Sequence, residues 1–257
     1  MKQILSFSVL LLLVFSSCKK DHDKAGVFKG PVTSFQGGHA WTWVQTDADN
    51  KPLRVGIAID AAAMSSLDPG TGDGGDHDHA NAISLAFASQ ASVTPFMHAL
   101  LDWNPHGHEP AGVYDQPHFD FHFYMTSEAD RLAIPPYETN SEGFLHYPAA
   151  DYMPAVYQAI PGGVPQMGTH WVDVNSPELH GQLFTQTFLY GTYDGQVTFY
   201  EPMITKAFLD ANQQFQRDFP VPDKFSKAGY YPSKIRIEKT GGVTNIILEG
   251  FVYRQAS

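Results

Sequence analysis

Apolar and polar residues alternate with a period of two along much of the chain, which is the pattern of β-strands. The clearest run covers residues 118–124, where phenylalanines separate polar side chains. Successive strand residues point to opposite faces, so the phenylalanines must be buried while the polar residues either meet water or line a pocket. The polar face carries His118, Asp120, His122 and Tyr124.

Turn signals between such runs predict antiparallel hairpins. Asp194-Gly195 is the sharpest signal, because both residues tolerate the positive φ angles of a type I′ turn. Trp41 and Trp43 alternate in the first hairpin, and we expect them in the core or in a pocket wall. The three predicted hairpins cover residues 39–60, 184–201 and 234–253.

Helical signals are few and short, and one long connection separates the strands. Residues 134–166 are rich in proline, and a connection this long is usually functional or disordered. Their aromatic side chains favour an ordered flap that packs over the β core. The predicted fold is therefore mainly β, an antiparallel β-barrel or sandwich with a few short helices and a long Pro-rich ordered loop. The short helices are predicted at residues 60–64, 126–132 and 205–211.

The N-terminal segment has the features of an export signal. Residues 4–15 are apolar, which is too short for a membrane-spanning helix of about 20 residues but suits a signal peptide. The only cysteine, Cys18, follows small residues as in a bacterial lipobox, so we expect residues 1–17 to be removed and Cys18 to be lipidated. The alternative is an ordinary secretory signal with an incidental cysteine. Residues 18–29 are predicted to form a polar tether, and residues 30–257 a single β-rich domain.

The net charge and the motifs that the sequence lacks argue against two classes of function, nucleic-acid binding and nucleotide-dependent catalysis. The chain carries a net charge of −11, and removal of the signal peptide takes away only Lys2, giving −11 − 1 = −12. Such an acidic protein is a poor partner for nucleic acid. The chain has no Gly-x-x-x-x-Gly-Lys motif and no Gly-x-Gly-x-x-Gly after a strand, which argues against a nucleotide cofactor. The expected location is the bacterial cell envelope, with Cys18 anchored in the membrane and the domain facing the periplasm or the cell exterior.

The 12 histidines concentrate in the middle of the chain. On a strand, positions two apart lie roughly 6.6 Å apart and can share an ion, whereas positions four apart lie roughly 13 Å apart. Asp120 can therefore pair with either neighbour, but His118 and His122 are a stretched pair for one ion. Other ligands must come from elsewhere, with His106 or His108 just upstream. The predicted metal ligands are His108, His118, Asp120, His122, His170 and Glu201.

A histidine–carboxylate set without cysteine suits a divalent transition metal, namely zinc, manganese, iron or copper. The same residues can instead form a metal-free hydrogen-bonded network around Asp120, or a solvent-exposed face. Glu201 precedes Pro202, which is expected to end its strand and leave Glu201 at a sheet rim. Residues 77–79 (His-Asp-His) also have chelating spacing, but in a Gly/Asp loop they are expected to be solvated or to bind metal adventitiously.

Four blocks of sequence resemble those of a family of uncharacterised exported bacterial proteins. The resemblance extends over residues 30–255, and the Pro-His-Phe-Asp-Phe-His-Phe-Tyr run is its most specific part. It implies an exported protein but no particular reaction, because the family has no assigned activity. The blocks are Trp103–His108 (WNPxGH), Pro117–Tyr124 (PHFDFHFY), Met167–Asp173 (MGxHWVD) and Phe199–Met203 (FYEPM).

The leading functional expectation is an envelope lipoprotein with a His/Asp-lined pocket that binds a divalent metal or a small ligand. One alternative is a non-catalytic structural, assembly or binding module in which the His-rich strand is a metal-free polar network. Another is a metal-dependent hydrolase-like enzyme, in which water activated by the metal is the nucleophile and Asp120 or Glu201 orients it or acts as the base. A metal site requires at least three predicted ligands to converge within about 5 Å.

Replacing Cys18 by serine removes the thiol that lipid modification needs. We expect the C18S protein to lose its acyl chains and to move from the membrane to the soluble fraction, because acyl chains supply the membrane affinity of such an anchor. Mass spectrometry and fractionation of cells that express each protein measure both effects. A Ser16→Ala protein, which keeps the cysteine, is the control. Membrane retention of the C18S protein would contradict the lipid anchor.

Overall fold

A computed structural model describes residues 25–70 and 81–257 of the chain. The predicted signal peptide (residues 1–17), Cys18 and the His-Asp-His segment at residues 77–79 lie outside these residues. The described residues form sixteen strands and four short α-helices, so the protein is mainly β, as predicted. Among them, no helix has the length and apolar character needed to cross a membrane.

Short strands follow one another along the chain, and the helices lie in their connections. The strands are β1 (Gly26–Lys29), β2 (Thr33–Phe35), β3 (Gly38–Thr46), β4 (Pro52–Asp60), β5 (Ile83–Ala86), β6 (His98–Asn104), β7 (His118–Tyr124), β8 (Tyr157–Ala159), β9 (Thr169–Asp173), β10 (Gln186–Tyr193), β11 (Gln196–Thr205), β12 (Gln214–Asp218), β13 (Gly229–Tyr231), β14 (Lys234–Thr240), β15 (Val243–Glu249) and β16 (Val252–Arg254). The α-helices are α1 (Ala61–Ser65), α2 (Glu128–Leu132), α3 (Glu142–Leu145) and α4 (Lys206–Ala211).

Two open seven-stranded antiparallel sheets make up the fold, so the protein is a sandwich and not a closed barrel. Sheet A has the strand order β1-β3-β4-β15-β14-β12, and β2 also pairs with β3. Sheet B has the order β5-β6-β7-β11-β10-β9-β8. The small sheet β13-β16 stands apart from both. In sheet B, β7 is an interior strand, with β6 on one side and β11 on the other.

The two large sheets bury their inner faces against each other in one apolar core. Phe35 of sheet A contacts Phe119 of sheet B, with 6.5 Å between the ring centroids. Phe119, Phe121 and Phe123 are all fully buried in this core. Each buried phenylalanine contributes about 1.5–3 kcal/mol, so the aromatic face holds β7 firmly in the sandwich. The polar residues of β7 must therefore face the other side of sheet B.

The turns have the predicted chemistry. Asp194 and Gly195 have φ angles of 48° and 75°, which are the positive values of a type I′ turn between β10 and β11. Gly241 and Gly242, with φ of 61° and 78°, make the corresponding turn between β14 and β15. The last predicted strand is divided, because β15 ends at Glu249 and the chain resumes as β16, which pairs with β13.

The three predicted helices are present, and each begins at a capping side chain. Asp60 accepts a hydrogen bond from the backbone N–H of Ala63 at the start of α1. Ser127 caps α2 and Thr205 caps α4 in the same way. Such caps satisfy backbone donors that have no partner within the helix, so they fix where each short helix begins.

The folded domain begins earlier than the predicted boundary at residue 30. Residues 26–29, predicted as the end of the tether, form β1 and pair with β3, with Val27 opposite Gln45 and Phe28 opposite Val44. Valine and phenylalanine suit a half-buried strand, and the open edge of β3 offers them a backbone partner. Residues 26–29 therefore belong to the folded domain.

Trp41 and Trp43 are half-buried on the outer face of sheet A, so the prediction that they lie in the core or a pocket wall was wrong for these two residues. Trp43 covers Gly56 and donates a hydrogen bond to Asn245 over 3.0 Å. The Lys29 ammonium lies 3.6 Å from the centre of the Trp41 ring. Ala40, Thr42 and Val44 alternate with the tryptophans and are buried, which leaves the tryptophans on the outer face.

Truncating the aromatic face of β7 should destabilise the whole sandwich. We expect Phe121→Ala to lower the free energy of unfolding by about 3–5 kcal/mol, because it opens a cavity between the sheets. Leu183→Ala, at a side chain that is 70% exposed, is the control and should change stability by no more than about 0.5 kcal/mol. Urea denaturation followed by tryptophan fluorescence measures both values. Equal effects of the two substitutions would contradict the position of Phe121 in the core.

Candidate metal centre

A cavity of about 370 Å³ lies against the outer face of sheet B. The flap (residues 134–166) is ordered and covers the sheet, as predicted, and the loop before β7 closes another side. The flap contributes Tyr137, Glu138, Ile160, Pro161, Gly162, Gly163 and Val164 to the lining. The loop contributes His108, Glu109, Pro110 and Tyr114. The sheet and its connections contribute Asp120, His122, Met167, His170, Leu189, Glu201 and Met203.

The polar face of β7 lies on this side of the sheet. All seven residues of β7 are buried, the polar ones included, because the flap and the loop cover them. Asp120 and His122 line the cavity directly. The polar face is therefore enclosed in a pocket and not exposed to solvent.

The six predicted ligands fall into two groups of three. The first triad is His108, His118 and Asp120, and the second triad is His122, His170 and Glu201. In each triad one ligand atom from every residue lies within 4.8 Å of the others, which meets the convergence that a metal site requires. His118 and His122 belong to different triads, in agreement with the argument that their spacing is too long for one ion. His106 is exposed and belongs to neither triad.

The first triad centres on the carboxylate of Asp120. Its Oδ1 atom lies 3.1 Å from Nε2 of His118, and its Oδ2 atom lies 3.3 Å from Nε2 of His108. Two ligands held at about 2.1 Å by a tetrahedral zinc ion are about 3.4 Å apart. The observed separations therefore match the edge of a metal coordination shell.

Backbone carbonyls orient both imidazoles of the first triad. Nδ1 of His118 donates to the carbonyl of Gln116 over 2.7 Å, and Nδ1 of His108 donates to the carbonyl of Glu109 over 2.7 Å. A carbonyl only accepts, so each Nδ1 carries a proton and each ring turns its Nε2 towards Asp120. This pattern is typical of histidines that bind metals.

The lone pairs of the first triad face one another and need a cation between them. Among the described residues, Nε2 of His118 and Oδ1 of Asp120 satisfy no hydrogen-bond geometry, although they are 3.1 Å apart. A proton can bridge His108 and Asp120, whose separation and angles do allow a hydrogen bond. A metal ion at the point where the three ligand atoms converge would satisfy all of them.

The second triad brings together three strands of sheet B. Oε1 of Glu201 on β11 lies 3.3 Å from Nε2 of His122 on β7, and Oε2 lies 3.6 Å from Nε2 of His170 on β9. The Phe199 ring packs against both imidazoles, at 4.9 Å from His122 and 5.2 Å from His170.

Glu201 is only 2% exposed and lies within β11, so the predictions of a sheet rim and of a strand ending at Pro202 were wrong. The proline is tolerated because the pairing of β11 with β7 is interrupted there. It runs to Tyr200 opposite Phe123 and resumes at Met203. A residue without an N–H fits where the ladder has a gap.

The pKa values of the two carboxyl groups that anchor the triads, Asp120 and Glu201, shift in opposite directions. Burial alone would raise the pKa of Asp120, but the nearby imidazoles of His118 and His108 outweigh burial and hold this pKa well below its usual range. Burial raises the pKa of Glu201 well above its usual range, and the negative charges of Asp120 and Asp102 raise it further. Burial lowers the pKa of His108, but Asp120 more than compensates and the net shift is upward.

Two polar residues of β6, Asn104 and Asp102, also belong to the site and were not predicted from the sequence. Nδ2 of Asn104 donates to Oδ2 of Asp120 over 2.8 Å and holds the carboxylate in place. Asp102 is 2% exposed and lies directly opposite Asp120. Their spacing of two residues predicts that both lie on one face of β6. Which face of the sheet this is follows only from the register with β7.

His98, on the same face of β6, stacks on Tyr124 with 4.8 Å between ring centroids and 2° between planes. Burial, and then the positive charge of Arg131, lower the pKa of His98 to about 4. The sandwich thus holds this imidazole neutral, beside the triads but in neither of them.

Comparison with protein-family models, with curated proteins and with solved structures finds no match. The resemblance of the four sequence blocks therefore remains a prediction. The fold and the site define a class in physical terms, an antiparallel β-sandwich that carries histidine–carboxylate triads in a covered cavity of one sheet.

Protonation of His98 should destabilise the protein in acid. The pKa of His98 is 6.5 in the unfolded chain and about 4 in the folded protein. Between these two pH values only the unfolded chain binds the proton, so the free energy of unfolding falls as the pH drops from 6.5 to 4. His98→Phe keeps the stacking but cannot titrate. We expect its stability to fall less than that of the wild type between pH 7 and 4.5, by roughly 2–3 kcal/mol. Chemical denaturation with chelator present measures the difference, and parallel pH profiles would contradict it.

Proposed function

We propose that this protein is a lipid-anchored protein of the bacterial cell envelope whose first triad binds a divalent transition-metal ion. One observation carries the metal proposal. Two histidines, each fixed by a backbone carbonyl at Nδ1, aim Nε2 at the same buried carboxylate, at distances of 3.1 and 3.3 Å. This arrangement costs free energy without a cation, because the buried Nε2 of His118 and Oδ1 of Asp120 then make no hydrogen bond within the described residues.

The donor set limits the choice of metal. Two imidazole nitrogens and one carboxylate oxygen, without sulfur, suit zinc, manganese, iron and copper. Proteins bind zinc with two histidines and one carboxylate, and they bind iron(II) with the same three donors. Three protein ligands leave at least one coordination position for water or a ligand. Zinc is the first ion to test because it needs no particular redox state.

The lipid anchor supports a location near the membrane surface. Only six residues separate Cys18 from Ala25, where the described chain begins, so the chain takes seven residue steps between them. Fully extended, a segment of seven residues reaches at most about 25 Å. With Cys18 in the membrane, the sandwich stays close to the lipid headgroups, on either the periplasmic or the exterior side.

The size of the cavity supports a small-molecule ligand. Its volume of about 370 Å³ lies within the range of binding pockets for small molecules, and its lining mixes apolar side chains with a few convergent polar ones. A metal-dependent hydrolase is the second candidate function, because the ion would have an open position facing this cavity. The non-catalytic alternative keeps the same triad, with a proton between His108 and Asp120 in place of the metal.

Metal binding should depend on the first triad. We expect the protein, purified without a polyhistidine tag, to bind zinc at the first triad, and we expect His118→Ala to lower the zinc affinity of this triad at least 100-fold. Loss of a ligand opens the shell and leaves Asp120 without its partner. Isothermal titration calorimetry after chelator treatment measures the affinity. Binding should also release protons, because the ion displaces the proton shared by His108 and Asp120.

His106→Ala is the matched control, since His106 lies in the same loop as His108 but outside both triads. His77 and His79 are replaced by alanine in every protein, so that the His-Asp-His segment contributes no binding. The metal proposal is wrong if less than about 0.2 equivalents of zinc, manganese, iron(II) or copper bind and none of them raises the melting temperature. It is also wrong if H106A and H118A reduce affinity equally.

A further inference from the structure

The second triad occupies the same cavity and has its own set of donors. His122 comes from β7, Glu201 from β11 and His170 from β9. All three side chains line the cavity, and none belongs to the first triad. The donors are again two imidazole nitrogens and one carboxylate, which is the set that zinc and iron(II) accept.

The sheet is shaped so that His170 can reach Glu201, although β10 lies between their strands. His170 pairs with Gly191 of β10, which has no side chain. A Cβ at Gly191 would lie 2.0 Å from the Phe199 ring, so the glycine leaves room for this ring to lean over β10. The ring then packs on the imidazoles of His170 and His122 and holds both towards Glu201.

Glu201 has the properties of a ligand that lacks its ion. It is 2% exposed, and its Oε2 atom accepts no hydrogen bond within the described part of the chain. Nε2 of His170 lies 3.6 Å from that oxygen, beyond the length of a hydrogen bond. A buried carboxyl oxygen without a hydrogen bond is costly, and Glu201 lines the cavity.

The charge of the cavity also favours a second cation. Asp102, Asp120 and Glu201 are three carboxyl groups, all at most 5% exposed. Asp102 and Asp120 face each other across β6 and β7, and the negative charge of each disfavours ionisation of Glu201. A cation at the second triad would place opposite charge beside the buried carboxyl group of Glu201.

We propose that the second triad binds a second divalent transition-metal ion, so that one cavity holds a centre of two ions. This inference rests on the proposed function of the first triad. Asp120 and His122 are successive residues on one face of β7, which are roughly 6.6 Å apart on a strand. The two ions are therefore neighbours, each held by its own carboxylate, and a ligand in the cavity can contact both.

Metal counting tests the proposal. In the background without His77 and His79, the wild-type protein should bind two zinc ions per chain, His170→Ala one and His118→Ala one. Glu201→Gln, which keeps the size of the side chain, should also bind one. Elemental analysis after equilibrium dialysis counts the ions. Loaded with manganese(II), the wild type should show an electron paramagnetic resonance signal broadened by coupling between two ions, and both single-histidine variants should lose this coupling.

His180→Ala, at an exposed histidine outside both triads, is the control and should bind two ions. Circular dichroism shows that each variant is folded, and E201Q keeps the test valid if H170A does not fold. One ion in the wild type, lost in H118A and retained in both H170A and E201Q, would overturn the second site and leave the proposed function intact. No bound ion in the wild type would overturn the proposed function itself.

Discussion

The structure depends on one strand, β7, that is buried on both faces. One face is aromatic and joins the core between the sheets, and the other carries Asp120 between two histidines. Burying phenylalanine is favourable, whereas burying a carboxylate is costly unless opposite charge and hydrogen bonds surround it. The loop before β7 and the flap enclose the polar face, and the polar residues of β6, β9 and β11 complete it.

Rigid backbone positions the candidate ligands. The carbonyls of Gln116 and Glu109 fix two imidazoles, and Asn104 fixes the carboxylate of Asp120. Most of the ligands lie on strands, whose direction the sheet determines, and strands hold a site more accurately than loops do. His108 is the exception, and its loop is tied back to the sheet through Asp120. His106, two residues earlier, is exposed and belongs to neither triad.

The neighbours of Asp120 and Glu201 decide how each of these buried carboxyl groups behaves. Asp120 is flanked by imidazoles and is held ionised, whereas Glu201 feels two other acids and resists ionisation. The imidazoles of the second triad lie farther from their carboxyl group, at 3.3 and 3.6 Å. Cations at both positions would place buried charge beside opposite charge throughout the cavity. Without metal ions, protons on the imidazoles or carboxyl groups must neutralise this buried charge.

Local features of the fold could be predicted from the sequence. Alternation along residues 118–124 identified the buried aromatic face, and Asp194-Gly195 identified a hairpin. Each of these signals acts over a few residues, through φ and ψ angles and side-chain direction. The same reasoning separated His118 from His122, because a strand has a fixed rise per residue.

The predicted ligand set named all six residues of the two triads, but it could not sort them. His170 meets Glu201 only because β9 and β11 flank β10 and because Gly191 leaves room for Phe199. Pro202 was expected to end its strand, but β11 continues through it because the pairing with β7 has a gap there.

By itself, the sequence determined the class of fold, the aromatic and polar faces of β7 and the residue types of the site. The tertiary structure alone decided which histidines share a carboxylate, that Glu201 is buried, and that the polar face forms a covered cavity. The physical reason is that side-chain direction is a local property of the backbone. Burial and ligand grouping depend on the order and register of strands that are far apart in the chain.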